Sequence, residues 1–295
     1  MNPSLELLRS ARRIGWVFSG GSARCAFQVG VVETLMELGI RPALCVGVSC
    51  GAWNAAAVAA GTAPRLRHYW RCFVRMPHVD FRNVVRERTP YAYAEAHRRT
   101  FARYVGVERL LGPEALPLWV GVTRLRDKRS VFFSAREVED PLDLILASNY
   151  LPPFYMRAPR IGGERYGDGG MTNNAPYEKA FEEGCDAVVL ITMKGESEGA
   201  FYRNPRETEH VIPEPFRSRT VVIRPRHRLP VTFTERRWLI LRQAIEVGRL
   251  RAREVFLGEA HPETEVRAEG TAPTRLVFGL LARAPRRGSR KSAGV

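Results

Sequence analysis

Three short stretches of this chain hold residues whose types and spacing suit nucleophilic chemistry on an acyl group. The first is Gly47-Val48-Ser49-Cys50-Gly51. It follows an apolar run and precedes an alanine-rich one (Ala52 to Ala60), so its serine falls on a sharp strand-to-helix turn. The flanking glycines let the backbone approach its neighbours and leave the hydroxyl exposed at a helix N-terminus, ready to attack a carbonyl. A lone G-x-S-x-G match is weak, and its place between a strand and a helix gives it weight. The second stretch is Ser19-Gly20-Gly21-Ser22-Ala23-Arg24, a glycine-rich turn entering a helix. Unpaired N–H groups at such a turn can hold a phosphate or an oxyanion. Neither G-x-G-x-x-G nor a Gly-Lys-Ser/Thr ending is present, which sets the common phosphate loops aside. An oxyanion hole over Gly20, Gly21 and Ser22 remains, with the amides of Gly21 and Ser22 aimed at the developing oxygen. A plain tight turn is the other reading. The third stretch is Tyr166-Gly167-Asp168-Gly169-Gly170, followed by Asn173-Asn174-Ala175-Pro176. Asp-Gly is a common turn signal, yet an aspartate on a glycine-flanked loop can reach a serine hydroxyl and accept its proton.

The elements that must position these residues are legible from hydrophobic pattern. Apolar runs rich in β-branched residues predict strands over 14–19, 43–49, 118–124, 130–134, 186–193 and 219–225. Helical spacing predicts helices over 26–38, 50–60, 92–104, 140–149, 175–184 and 232–257, the last packing into the core through Trp238, Leu241, Ile245 and Leu250. Short apolar strands alternating with helices imply an α/β fold with a mainly parallel sheet covered on both faces. Residues 62–115 are denser in aromatics and arginine and read as an inserted helical lobe, either a lid or an ordinary helical layer. Residues 195–218 read as a long polar surface loop, and the basic stretch 282–295 as a disordered tail beyond one domain spanning 1–281.

Taken in order, the three stretches resemble the patatin-like phospholipase family over about residues 14–192. SGGSARCAFQVGVVETL is similar to the family's glycine-rich opening, GVSCG to its nucleophile elbow, and ASNYLPPFYMRAPRIGGERYGDGGMTNNAP to its Asp-Gly block. The resemblance implies a three-layer α/β/α sandwich and a lipid acyl hydrolase of phospholipase A or lysophospholipase type. It implies a Ser49–Asp168 dyad in which the aspartate takes the hydroxyl proton directly, through an acyl-enzyme and with no metal or cofactor. Gly47, Gly51, Gly169, Gly170 and Arg24 would support the elbow and loops, Arg24 as a structural or a phosphate-facing cation. Asp168, partly desolvated, would titrate above an exposed carboxylate. Two positions depart from the family: Ser22 stands where a third glycine is usual, and Cys25 where a glycine follows the arginine. A positive φ at either would cost about 1 kcal/mol or more.

Composition adds partners rather than chemistry. The formal net charge is +15, and of the 46 basic residues four are lysine and the rest arginine. This suits contact with an anionic membrane surface around a lipid ester substrate, or simply an arginine-rich proteome. Nucleic acid is disfavoured, because no zinc finger, RNP-like aromatic motif or basic heptad run is present. Nothing in the sequence sets the oligomeric state. Five cysteines without metal-ligand spacing read as reduced core residues, which favours a cytoplasmic location, peripheral to the membrane if it meets one. No secretory signal or membrane span is evident. Two other readings compete. One is an α/β-hydrolase-type Ser–Asp–His esterase using His227, or else His210 or His261. The other is a catalytically inactive relative, marked by Ser22 and Cys25, that binds anionic lipid or protein.

Overall fold

The computed structural model describes residues 2–156 and 158–260, so the stretch 282–295 and His261 lie outside the described residues. Among the described residues eight strands form one mixed sheet: β1 (Ile14–Phe18), β2 (Leu44–Val48), β3 (Leu118–Arg124), β4 (Arg129–Ser134), β5 (Arg160–Ile161), β6 (Glu164–Asp168), β7 (Ala187–Ile191) and β8 (Thr220–Ile223). Their order is β5-β6-β3-β2-β1-β7-β8, with β4 also paired to β3. Strands β3, β2, β1, β7 and β8 run parallel, while β4 and β6 are antiparallel to β3. Every residue of β1, β2 and β7 is buried, which explains their unbroken apolar runs.

Among the described residues ten α-helices accompany the sheet: α1 (Pro3–Ser10), α2 (Ala26–Glu37), α3 (Cys50–Ala59), α4 (Leu66–Arg75), α5 (Asn83–Glu87), α6 (Tyr93–Tyr104), α7 (Val107–Leu111), α8 (Pro141–Ser148), α9 (Tyr177–Glu182) and α10 (Trp238–Leu257). Strand β1 divides its side chains between two cores. Ile14, Trp16 and Phe18 pack with α2, α3 and α10, whereas Val17 packs with Tyr177 and Ala180 of α9. Helix α9 is too short to cover that second face alone. Phe201 and Ile212, from the stretch read as a polar surface loop, are buried there and complete it. The result is the three-layer α/β/α sandwich expected from the sequence.

Register on β3 does the decisive positioning. Strand β4 occupies one edge of β3 from Trp119 to Arg124. On the other edge β2 pairs only as far as Gly121, opposite Val48, and β6 takes over at Val122, opposite Asp168. Two chain segments distant in sequence therefore end side by side, with Ser49 next after Val48 and Asp168 closing β6. Asp168 is thus the last residue of a strand, not a loop residue. The Asp-Gly signal hid that strand, because a five-residue segment reading Glu-Arg-Tyr-Gly-Asp lacks apolar alternation.

Two further elements differ from expectation. Helix α1 was not anticipated; Asn2 caps it, and Leu5 and Leu8 bury its inner face. Helix α10 begins at Trp238 rather than near 232, so Phe233, Thr234 and Glu235 lie in a turn instead.

Candidate active site

Ser49 sits at the N-cap of α3 with φ 51° and ψ −135°, a strained conformation for a residue with a Cβ, worth about 1–3 kcal/mol. Two side chains hold its backbone. Its N–H donates to Ser148 Oγ at 2.7 Å, and Ser148 Oγ in turn donates to Gly121 O at 2.6 Å. Asn149 Nδ2 donates to Ser49 O at 2.9 Å. Gly51 is required one turn on, because a Cβ there would lie 2.5 Å from the carbonyl oxygens of both Phe18 and Ser19. Gly47, one residue before the end of β2, packs against Ala52 of the same elbow. Ser148 and Asn149 had no assigned role in the sequence reading. Their signal was position alone, at the end of a helix that must reach β3.

Changing Ser148 to alanine should leave two buried backbone groups, Ser49 N–H and Gly121 C=O, without this partner. A stability loss of about 1–3 kcal/mol is expected, read by denaturant titration. Slower ester turnover without a matching change in KM is expected beside it.

Ser49 Oγ donates to Asp168 Oδ2 at 2.7 Å, and Asp168 Oδ1 accepts from Gly170 N–H at 2.8 Å. The carboxylate is buried, and burial outweighs those two hydrogen bonds, so its pKa is pushed up to about 6. Gly169 follows where a Cβ would collide with Gly121 O at 2.2 Å. A carboxylate in this state can accept a hydroxyl proton near neutral pH.

The glycine-rich turn lies against the pair, with a Cβ on Gly20 falling 2.7 Å from Ser49 Cβ. Its first amide is already committed. Gly20 N–H donates to Asn174 Oδ1 at 2.7 Å, and Asn174 Nδ2 returns a bond to Gly20 O at 3.2 Å. Gly20 therefore serves as an anchor point, not as a donor to an incoming oxyanion, and Asn174 is the residue the sequence reading quoted without using. The backbone amides of Gly21 and Ser22 remain as the turn's candidate donors. Gln28 Nε2 also donates to Ser19 O at 2.7 Å, and Asn54 links Gln28, Cys25 O and the Trp70 indole into one buried chain. Arg24 Nε donates to Gly21 O at 3.3 Å, a structural contact within the turn.

The two departures at Ser22 and Cys25 separate on inspection. Ser22 has φ 52° and carries the strain, but its Oγ donates to Phe233 O at 2.6 Å, a bond no glycine could make, which offsets about 1 kcal/mol. Cys25 has φ −63°, is fully buried and is unstrained.

A cavity of about 60 Å³ opens on Ser49. Besides Ser49 and Asp168 its walls include Trp70, Phe73, His78, Tyr93, His97 and Phe154. Most of these belong to the 62–115 lobe, which is therefore the wall of the site rather than a remote layer. His97 stacks between Trp53 and Phe73, with ring centroids 4.2 and 4.1 Å away. Burial holds His97 well below the usual histidine range and His78 at about 4, so both rings are neutral at pH 7 and the aromatic side of the wall carries no charge. The two candidate histidines within the described residues, His210 and His227, are elsewhere. His210 Nε2 pairs with the Tyr177 hydroxyl, and the His227 backbone packs on Gly195 outside the cavity. Among the described residues no imidazole stands between Ser49 and Asp168, which are bonded directly.

Comparison with known proteins agrees with this fold. No curated protein matches the chain. Among solved structures, VipD from Legionella pneumophila is similar with a TM-score of 0.52 and 14% identity, covering 87% of this chain and 72% of that one. The type III effector protein ExoU aligns with a TM-score of 0.39 and 14% identity, over 83% of this chain and 54% of its own length. The likeness to VipD extends to the sheet and its flanking layers. A family model described as patatin-like phospholipase matches residues 16–181, from β1 through the elbow and the Asp-Gly block into α9. The chain belongs to the patatin-like phospholipase family, whose members act on lipids.

Proposed function

We propose that the protein hydrolyses acyl esters of lipids through a Ser49–Asp168 dyad. The observation that carries this reading is the direct 2.7 Å hydrogen bond from Ser49 Oγ to a buried carboxylate whose pKa is raised toward neutrality. Asp168 Oδ2 takes the Oγ proton as Oγ bonds to the ester carbonyl carbon. The carbonyl oxygen gains the negative charge, facing the Gly21 and Ser22 N–H groups with the N-terminus of α3 behind it. Collapse of that intermediate breaks the ester bond, and the departing alkoxide takes the proton from Asp168. Water then gives a proton to Asp168 and its oxygen to the acyl carbon. The carboxylic acid leaves and Ser49 regains its proton.

The neutral aromatic wall suits an alkyl chain, and the substrate class is a phospholipid, lysophospholipid or neutral lipid ester. Four of the five cysteines are buried and all are unpaired, which supports a cytoplasmic setting. The deciding experiment is incubation with an alkyl fluorophosphonate, mapped by mass spectrometry, beside hydrolysis of p-nitrophenyl butyrate and a fluorogenic phospholipid. Label on the peptide carrying Ser49, with turnover of both esters, is the expected result. An unlabelled, inactive protein would replace this reading with that of an inactive lipid-binding relative.

A further inference from the structure

Several of the largest exposed apolar side chains cluster in one short segment of the lobe. Val79, Phe81, Val84 and Val85 are 47%, 78%, 48% and 86% exposed, and α5, which carries the last two, buries none of its residues. The segment is not a frayed end. Val79 bridges to Tyr91, Asp80 N–H donates to Pro90 O at 2.8 Å, and Thr89 Oγ1 donates to Pro153 O at 2.7 Å. It is a closed projection on a tied base, held with its apolar residues outward. A cluster of this kind on a folded chain is costly in water and marks a contact surface.

Its charge identifies the partner. Arg75, Arg82, Arg86 and Arg88 are exposed along or beside the projection, and Arg236 reaches it by donating to Met76 O at 3.1 Å. Against these stand Asp80, paired with Arg82, and Glu87. An apolar tip in a mostly cationic collar matches the acyl boundary and phosphate layer of an anionic bilayer, where each surface arginine adds attraction. The base of the projection leads directly to the site. His78 and Tyr93, which flank it in sequence, line the cavity at Ser49, and Tyr91 packs on Phe154 of the same wall with ring centroids 5.0 Å apart.

We infer that residues 79–88 form a membrane-docking tip that seats the mouth of the Ser49 cavity on an anionic phospholipid surface. The inference sets the side from which lipid enters and rests on the proposed hydrolase reading only for the fate of that lipid. It is tested on the full chain carrying Ser49→Ala, so that no lipid is consumed, by co-sedimentation with vesicles of phosphatidylcholine alone or with 30% phosphatidylserine. A double change, Phe81→Asp with Val85→Asp, is compared in the same background and, with Ser49 intact, in p-nitrophenyl butyrate hydrolysis. Both positions are exposed, so the fold tolerates the change. The expected result is binding to the phosphatidylserine vesicles, a loss of about tenfold or more in the double variant, and undiminished turnover of the soluble ester. Equal binding by both proteins, or no binding to either vesicle, would overturn the inference. So would a dimer in analytical ultracentrifugation that the double change dissolves, since the patch would then be a self-association face. Tip-dependent binding by a protein that hydrolyses neither ester would keep the docking surface and remove the hydrolase reading instead.

Discussion

Replacing Ser49 with alanine should lower kcat/KM for p-nitrophenyl butyrate by roughly 10⁴–10⁶-fold and abolish fluorophosphonate labelling. The size follows from the geometry. Among the described residues no second hydroxyl is bonded to the Asp168 carboxylate, whose partners are Ser49 Oγ and Gly170 N–H; the Thr123 hydroxyl reaches only the backbone C=O of Asp168. Alanine keeps the φ of 51° and the backbone bonds to Ser148 and Asn149, so the fold should survive. A companion change separates strain from chemistry. Ser49→Gly is equally inactive, but glycine adopts this conformation without a Cβ clash, and about 1 kcal/mol of the strain should return as stability relative to Ser49→Ala. A Ser49→Ala protein retaining a tenth of the wild-type rate would mean that the nucleophile is another residue. Equal melting points for the two variants would mean that the elbow is not strained.

How much of this was readable beforehand depends on what each residue needs. Ser49, Asp168 and the parallel strands were legible because they rest on local signals: an apolar run, a turn, a glycine pair. The runs over 14–18, 44–48 and 187–191 are buried on both faces, and nothing but a central strand explains them. What sequence could not supply was partnership across space. Asn174 looked like turn punctuation and proves to clamp Gly20 from the far side of the site. Gly20 looked like an oxyanion donor for the same reason, since its N–H is claimed by a residue more than a hundred positions away. Ser148 looked like the tail of a helix and proves to brace the nucleophile's backbone. The lobe's aromatics were counted, but an aromatic helix facing a site and one facing an ordinary core have the same composition. What distinguishes them is the cavity at Ser49 that Trp70, Phe73, His78, Tyr93 and His97 line.

Replacing Asp168 with asparagine should give a protein that is nearly inactive and, at neutral pH, more stable. The activity loss, about 10²–10⁴-fold in kcat/KM, follows from removing the one group among the described residues that is bonded to Ser49 Oγ and can take its proton. In the wild type, the same residue sets the acid limb. Its pKa of about 6 means that kcat/KM should fall as pH drops through that value, because the base becomes protonated. The stability change has the opposite sense to that of a salt-bridged carboxylate. Asp168 has a folded pKa above its unfolded value near 4, so the folded state holds the proton more tightly. Below pH 4 the group is neutral in both states and costs nothing. As pH rises from 4 to 6 the unfolded chain ionises first, and the folded state loses stability until both are charged. Above pH 6 the full penalty applies, on the order of 3 kcal/mol for a shift of this size. Asparagine is neutral throughout and can still accept from Gly170 N–H and offer an N–H to Ser49 Oγ. The variant should therefore melt several degrees above the wild type at pH 7.5 and close to it at pH 4, as read by thermal denaturation at the two pH values. A variant no more stable at pH 7.5 would mean that the Asp168 carboxylate is well solvated, and the raised pKa that qualifies it as a base near neutrality would have to be abandoned.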